Sequence, residues 1–285
     1  MNQTVYEHEI PKGSKLYFGA SARLKRQIEQ KAGELLENSG FSEIITPYFS
    51  YHQHASVAAE KLLRFSDADN HEIALRADST VDVVRIATRR LKDGTKKWFY
   101  IQPVFNYPSD EIYQIGAEVL DSSNLNECLA TPIAIFSHFG IEPHLQISNM
   151  EIPKIICQLL NLPISTFENG RLEVLLDLNL SWLNRLAVIS SDADLDAAIA
   201  EVPAQLRQPL EAMRKLGGEC AWAKKIYAPL YYSKMRYYDK LFFRFLCDNS
   251  ILASGGSYEI EGRACVGFAV FTDALTQILT KKDNK

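Results

Sequence analysis

Two β-type runs joined by a few residues of turn chemistry constrain this chain more than any other feature. From Trp98 to Phe105 the residues are aromatic and β-branched, Pro108-Ser109-Asp110 supplies the turn, and Ile112 to Leu120 alternates again. The spacing predicts an antiparallel hairpin. Upstream, Gly19-Ala20-Ser21 opens a helical pattern with Leu24, Ile28, Ala32, Leu35 and Leu36 on one face, and Gly40 stands where a C-terminal cap belongs. Phe41 to Phe49 then reads as a strand as far as Pro47, which tolerates a strand end or a sheet edge.

The rest follows the same logic. Ile73 to Arg76 suits a short strand, and Ser79 with Asp82 forms a capping box for a helix carrying Val81, Val84, Ala87 and Leu91, ended by Asp93-Gly94. Leu125 to Phe139 is helical, with Pro132 expected to kink or divide it and Gly140 closing it. A short strand is expected at Leu145 to Ile147. Between Pro153 and Gly218 the pattern becomes helical throughout, including an Asp/Ala-rich stretch from Asp192 to Ala200. Beyond it, Leu230 to Cys247 is strand-like, Ala253-Ser254-Gly255-Gly256 permits close backbone approach, Ala264 to Phe271 is a buried strand, and Thr272 starts the last helix. We therefore expect a core in two parts, 1–152 and 223–285, with a helical insertion at 153–222.

Composition narrows the function. At 285 residues with 47% hydrophobic and 23% charged residues, the chain is an ordinary globular protein, not a disordered or collagen-like one. A net charge of -4 without clustered basic residues argues against general nucleic-acid binding. Five cysteines, odd in number and never in a C-x-x-C pair, argue against a disulfide framework or a zinc site and for a reducing, cytoplasmic compartment. No apolar run approaches the roughly 20 residues that span a bilayer, and the N-terminus lacks a leader's apolar core, so neither secretion nor membrane insertion is expected. Phosphate loops, dinucleotide fingerprints and serine-hydrolase elbows are absent from the sequence. His52 and His54 lack a third ligand at helical or turn spacing, so no metal is expected.

Two constellations remain. Gln114 and Glu118 lie four apart on one strand and so share a face, while Asp78 just precedes a helix start. Carboxylates so placed can hold an amine or imidazolium, or can simply face solvent. Tyr231, Tyr232, Tyr237, Tyr238 and Tyr258 gather phenols around Gly255-Gly256, which suits a wall for a small polar ligand or plain core packing.

Tyr100-Ile101-Gln102-Pro103-Val104-Phe105, followed by Gln114-Ile115-Gly116-Ala117-Glu118, resembles motif 2 of the histidyl-tRNA synthetase family of class II synthetases. Gly40-Phe41 through Ile45-Thr46-Pro47 is similar to the family's dimer-forming motif 1, and Leu75-Arg76-Ala77-Asp78-Ser79-Thr80 to its Leu-Arg-Pro-Glu-Gly-Thr. Gly255-Gly256-Ser257-Tyr258-Glu259 resembles Gly-Gly-Arg-Tyr-Asp, and Val266-Gly267-Phe268-Ala269 takes the place of motif 3. The resemblance runs from about Tyr17 to Leu279. It implies an α+β fold, a class II synthetase-like antiparallel sheet flanked by helices and dimerising through motif 1.

The departures matter as much. The resemblance places Asn106, Ala274 and Ser233 where active synthetases have three arginines, which act on the ATP α-phosphate, on adenine and in the histidine-specific segment. None of the three can neutralise developing phosphoryl charge. The loop after motif 2 is short, and the sequence stops soon after motif 3. Positions that surround the amino acid in the family still carry usable chemistry: Asp78, Thr80, Gln114, Glu118, Tyr237, Tyr238 and Tyr258. Such a core resembles the regulatory-subunit family of ATP phosphoribosyltransferase, the first enzyme of histidine biosynthesis. That resemblance implies no catalytic residues, no cofactor and no tRNA. It implies a homodimer within a hetero-oligomer with a short-form catalytic subunit, and L-histidine as feedback effector. Two alternatives stand beside it: a divergent ATP-dependent amino-acid ligase in which Lys234, Arg236 or Arg244 replaces the missing arginines, and a synthetase-like scaffold or sensor without such a partner.

Overall fold

The computed structural model describes residues 9–53, 57–91, 94–233, 235 and 237–283. The chain divides into two compact units, residues 1–116 with 271–285, and residues 117–270.

In the first unit, α1 (Gly19–Asn38) buries Ile28, Ala32 and Leu36, the expected stripe at helical spacing, and packs beside the closing helix α10 (Thr272–Asp283). Asp273 at the start of α10 accepts from the Tyr17 hydroxyl and, at 3.0 Å, from the Tyr113 backbone N–H. Lys25 forms a buried pair with Glu29 while its ammonium lies 4.0 Å from the Tyr113 ring centre. Strand β1 (Ser42–Glu43) runs parallel to β5 (Lys97–Asn106), with β2 (Phe49–Ser50), β3 (Arg64–Ser66) and β4 (Glu72–Leu75) forming a small antiparallel sheet in the order β2-β4-β3. Helix α2 (Thr80–Ile86) follows β4. Strand β5 neighbours β6 (Asp110–Leu120), and the three-residue connection allows only an antiparallel return, which is the expected hairpin. Gly116 is required there, because a Cβ would sit 2.2 Å from Cζ of the buried Tyr100 ring.

The last residues of β6 enter the second unit, whose sheet runs β6-β11-β10-β9-β7-β8. After α3 (Asn126–His138) and β7 (His144–Asn149) come the helices α4 (Glu151–Leu160), α5 (Ser165–Glu168), α6 (Leu172–Leu176), α7 (Ser181–Ala187), α8 (Asp192–Glu201) and α9 (Ala204–Glu219). The chain then returns through β8 (Lys225–Tyr227), β9 (Tyr238–Cys247), β10 (Ser250–Ile260) and β11 (Arg263–Phe271). Strands β11, β10, β9 and β7 pair antiparallel in turn, and β8 joins β7 in parallel. Helix α9 packs on β7 and β9, while Phe136 of α3 meets Phe245 edge-on at 5.0 Å over a core that includes Leu145, Ile147 and Phe243.

Four expectations change. The strand expected over Phe41 to Phe49 is only the two ends, β1 and β2. Between them Thr46 N–H turns to the Gln102 side chain at 3.2 Å, Pro47 has no N–H, and the carbonyls of both are taken by Arg76. The strand expected from Leu230 begins at Tyr238, since a turn from Tyr231 N–H to Ala228 O, 3.2 Å, takes the preceding segment off the ladder. Ser79 and Asp82 do not form a capping box. The Ser79 hydroxyl accepts from Gln102, and Asp82 accepts from Gln53 and Arg85. Of the two outcomes expected at Pro132, division is excluded, since the helix runs unbroken from Asn126 to His138, and a kink is the one left standing.

Candidate functional site

The second unit brings Glu118, Tyr237, Tyr238 and Tyr258 together. Sheet register does this: Tyr258 on β10 stands opposite Tyr238 on β9 and Cys265 on β11. The ring centres of Tyr237 and Tyr238 lie 4.6 Å apart, and that of Tyr258 lies 5.5 Å and 6.4 Å from them. The Tyr258 hydroxyl donates to Glu118 Oε2 at 2.6 Å, and both residues are buried, 2% and 1% exposed. The carboxylate lies over Gly267, where a Cβ would stand 1.8 Å from Oε2. On the neighbouring strand, a Cβ on Gly256 would meet the Tyr238 ring at 2.7 Å. The Gly-Gly segment thus lies within β10, where Gly255 makes room for Phe243 and Gly256 for the Tyr238 phenol, while Gly267 on β11 makes room for the acid.

Asp78, Thr80 and Gln114 belong to the first unit. Asp78 and Thr80 are buried at the start of α2, where Asp78 Oδ1 accepts from Val81 N–H at 3.3 Å. Gln114 is half-buried on β6. A glutamine that sequence reasoning passed over holds this turn. Gln53 Oε1 accepts the N–H groups of Ala77 and Asp78 at 2.7 and 2.8 Å, and its Nε2 donates to Asp78 O at 3.2 Å and Asp82 Oδ2 at 2.6 Å. Gln102 does the same one strand away, donating to Thr46 Oγ1 and Ser79 Oγ, each at 3.0 Å. Their signal in the sequence was an uncharged amide, within the motif 2 run for Gln102 and outside any motif for Gln53, which is too weak to read alone. His52 is exposed, and His54 lies outside the described residues.

At the three positions where the resemblance implies arginines, Asn106 ends β5, Ala274 lies in α10, and Ser233 is buried with its hydroxyl accepting from Met235 N–H at 3.2 Å. Of the candidate replacements, Lys234 and Arg236 lie outside the described residues, and the Arg244 guanidinium is engaged by Gln146 and Tyr231. Chemically, the second-unit cluster is a dry carboxylate with an aromatic wall, an arrangement that favours a ligand offering N–H donors or positive charge.

Burial, and after it the Glu118 charge, pushes the Tyr258 hydroxyl well above the ordinary tyrosine value of 10.0. The folded state therefore keeps this proton where the unfolded chain releases it. The associated stability is complete below pH 10.0 and is lost as pH rises beyond it. Tyr17, raised first by burial and then by its bond to Asp273, adds to the same alkaline loss. Urea unfolding at about pH 8 and about pH 11 should show a smaller alkaline loss in Tyr258→Phe than in the parent. Equal losses would show that Tyr258 does not titrate as described.

Comparison with known proteins bears on the fold and the family. Residues 17–275 match the family model described as histidyl-tRNA synthetase. The chain is 44% identical over 276 residues, 96% of each chain, to an ATP phosphoribosyltransferase regulatory subunit of Wolinella succinogenes. It is 39% identical over 278 residues, 96% of this chain and 99% of the relative, to one of Helicobacter hepaticus. Among solved structures, an ATP phosphoribosyltransferase regulatory subunit/histidyl-tRNA synthetase from Bacillus halodurans superposes with a TM-score of 0.84 at 21% identity, covering 97% of this chain and 84% of that one. The α+β class II fold expected from the motifs is thus the fold observed. The chain belongs to the histidyl-tRNA synthetase family and, within it, to the ATP phosphoribosyltransferase regulatory subunits.

Proposed function

We propose that this protein catalyses no reaction itself and activates a short-form ATP phosphoribosyltransferase catalytic subunit, placing it under feedback inhibition by L-histidine. The observation that carries this reading is one contrast. The buried Glu118–Tyr258 pair with its aromatic wall is kept, while Asn106, Ser233 and Ala274 stand where an adenylating enzyme needs cations. Histidine would be held by Asp78, Thr80, Gln114, Glu118, Tyr237, Tyr238 and Tyr258, its imidazole or ammonium on the carboxylates. Its effect requires a two-state assembly in which it prefers one state, with a coupling on the order of 1–3 kcal/mol.

Residues 153–222 are, in this reading, an insertion between core parts 1–152 and 223–285. The chain works in the cytoplasm as a homodimer inside the hetero-oligomer, without tRNA. The motif 1 segment supports the dimer, since it leaves Ile45 80% exposed, with Tyr48, Phe49 and Tyr51 exposed around Pro47.

The test is phosphoribosyl-ATP formation by the catalytic subunit of the same organism, with and without this protein, across a histidine titration. Activation that histidine reverses is expected. Glu118→Ala should raise the histidine concentration for half-inhibition by about tenfold or more. An unaltered titration would remove Glu118 from the site, and no activation by the folded protein at micromolar concentration would refute the whole reading. Amino-acid-dependent ATP–pyrophosphate exchange, which the ligase alternative requires, should be undetectable.

A further inference from the structure

Within the second unit, a cleft of about 720 Å³ opens beside the sheet edge, a size ordinary for small-molecule sites. Its walls are mainly apolar, with Ile226 and Pro229 among the residues from the β8 side and Leu172 and Leu186 among those from the helices. Arg244 is the sole cation among the described residues that line it. This half-buried guanidinium is held rigidly. Nε and Nη2 both donate to Gln146 Oε1, at 3.0 and 2.9 Å, and its face lies 4.1 Å from the Tyr231 ring centre. Both supports are themselves fixed. Gln146 is buried and donates to Ser148 Oγ at 3.1 Å, and Tyr231 stacks on Phe242 at 5.5 Å.

Among the described residues, no acid pairs with Arg244 and no acceptor takes Nη1, and the hydroxyls of Tyr231 and Tyr232 have no hydrogen-bond partner either. Arg85, Arg185, Arg214 and Arg263, by contrast, each meet a carboxylate. The fold thus leaves one edge of a fixed guanidinium fork and two phenols facing no described protein group, so an anion entering this cleft meets donors already held in place. One spare cationic nitrogen, with the exposed carboxylate of Glu168 also on the lining, matches a single negative charge better than a dianion. Aromatic and proline surfaces beside it suit a flat ring.

We propose that this cleft is a ligand site separate from the Glu118 cluster, and that it takes a small monocarboxylate bearing a flat ring, with the carboxylate on Arg244 Nη1 and the ring against the tyrosines. Calorimetry and ligand-observed NMR on the full chain with indole-3-acetate and its primary amide test it. The acid should bind with a Kd below about 1 mM and the amide about tenfold or more weaker. Arg244→Gln should bring the acid down to the level of the amide. Should that variant fail to fold, Leu172→Trp, which fills the cleft from α6, an element that carries none of the residues holding Arg244, should weaken both compounds about tenfold. Equal affinity for acid and amide, binding of neither, or acid binding that survives both folded variants would overturn the proposal.

Discussion

Arg76→Ala is expected to lower the unfolding free energy by about 3–5 kcal/mol, the largest stability loss we expect from a single side chain of the first unit. The guanidinium is 1% exposed and joins three stretches of chain. Nε and Nη2 donate to Pro103 O at 3.0 and 2.7 Å, and Nη1 donates to Thr46 O at 2.8 Å, Thr46 Oγ1 at 3.1 Å and Pro47 O at 3.3 Å. Its face also lies 4.9 Å from the Tyr48 ring centre. Burial lowers its pKa, yet arginine stays charged at any working pH, so the donors are always present. Alanine removes every one of them at once, leaving carbonyls without donors and a hole where a large side chain stood. Arg76→Lys should fare little better, because one ammonium cannot reach both Pro103 O and the Thr46–Pro47 carbonyls. Urea unfolding with an unchanged slope would measure the loss. A loss under about 1 kcal/mol would mean that water or a local shift satisfies those carbonyls instead.

The second large effect is expected at Gly267. An alanine there would place its methyl 1.8 Å from Glu118 Oε2 and 3.0 Å from Ala117 O, distances that force the carboxylate off the sheet and break its bond to Tyr258. We expect a stability loss of about 3 kcal/mol and the disappearance of the histidine response in the phosphoribosyl-ATP assay. The mechanism has its own check in a double-mutant cycle. If the clash with Glu118 is the cause, Gly267→Ala should cost far less in a Glu118→Ala background, where the volume has been vacated. An equal cost in both backgrounds would place the damage in the strand backbone and not in the site.

Arg76 and Gly267 also mark what could be read in the sequence. Wherever structure follows local periodicity, the residues revealed it: the stripe of α1, the hairpin of β5 and β6, and the final strand and helix all fall where alternation or helical spacing put them. Arg76 was visible only as part of a motif, since its partners lie 27 to 30 residues away and no local pattern encodes them. Distance also hid Gln53 and Gln102, whose partners lie 23 to 56 residues away and whose amides organise the turn at Asp78. Segments failed where composition and geometry part. Leu230 to Tyr237 has the aromatic content of a strand, but Tyr231 turns away to cover Arg244. In the candidate site, the phenols and Glu118 were legible as residue types, and only the register that sets Tyr258 opposite Tyr238 brings them within reach.

The outer strands have a consequence for how such a protein can associate. Among the described residues, β1 has two residues, β8 has three, and the small sheet ends on β2 and β3 with two and three. Pro47 and Pro229 follow close behind two of them, and Lys225 of β8 turns its ammonium back onto Gly217 O at 2.6 Å. Edges this short offer too few free N–H and C=O groups to template another chain. These short outer strands therefore leave association to side chains, where a handful of substitutions can retune or abolish it.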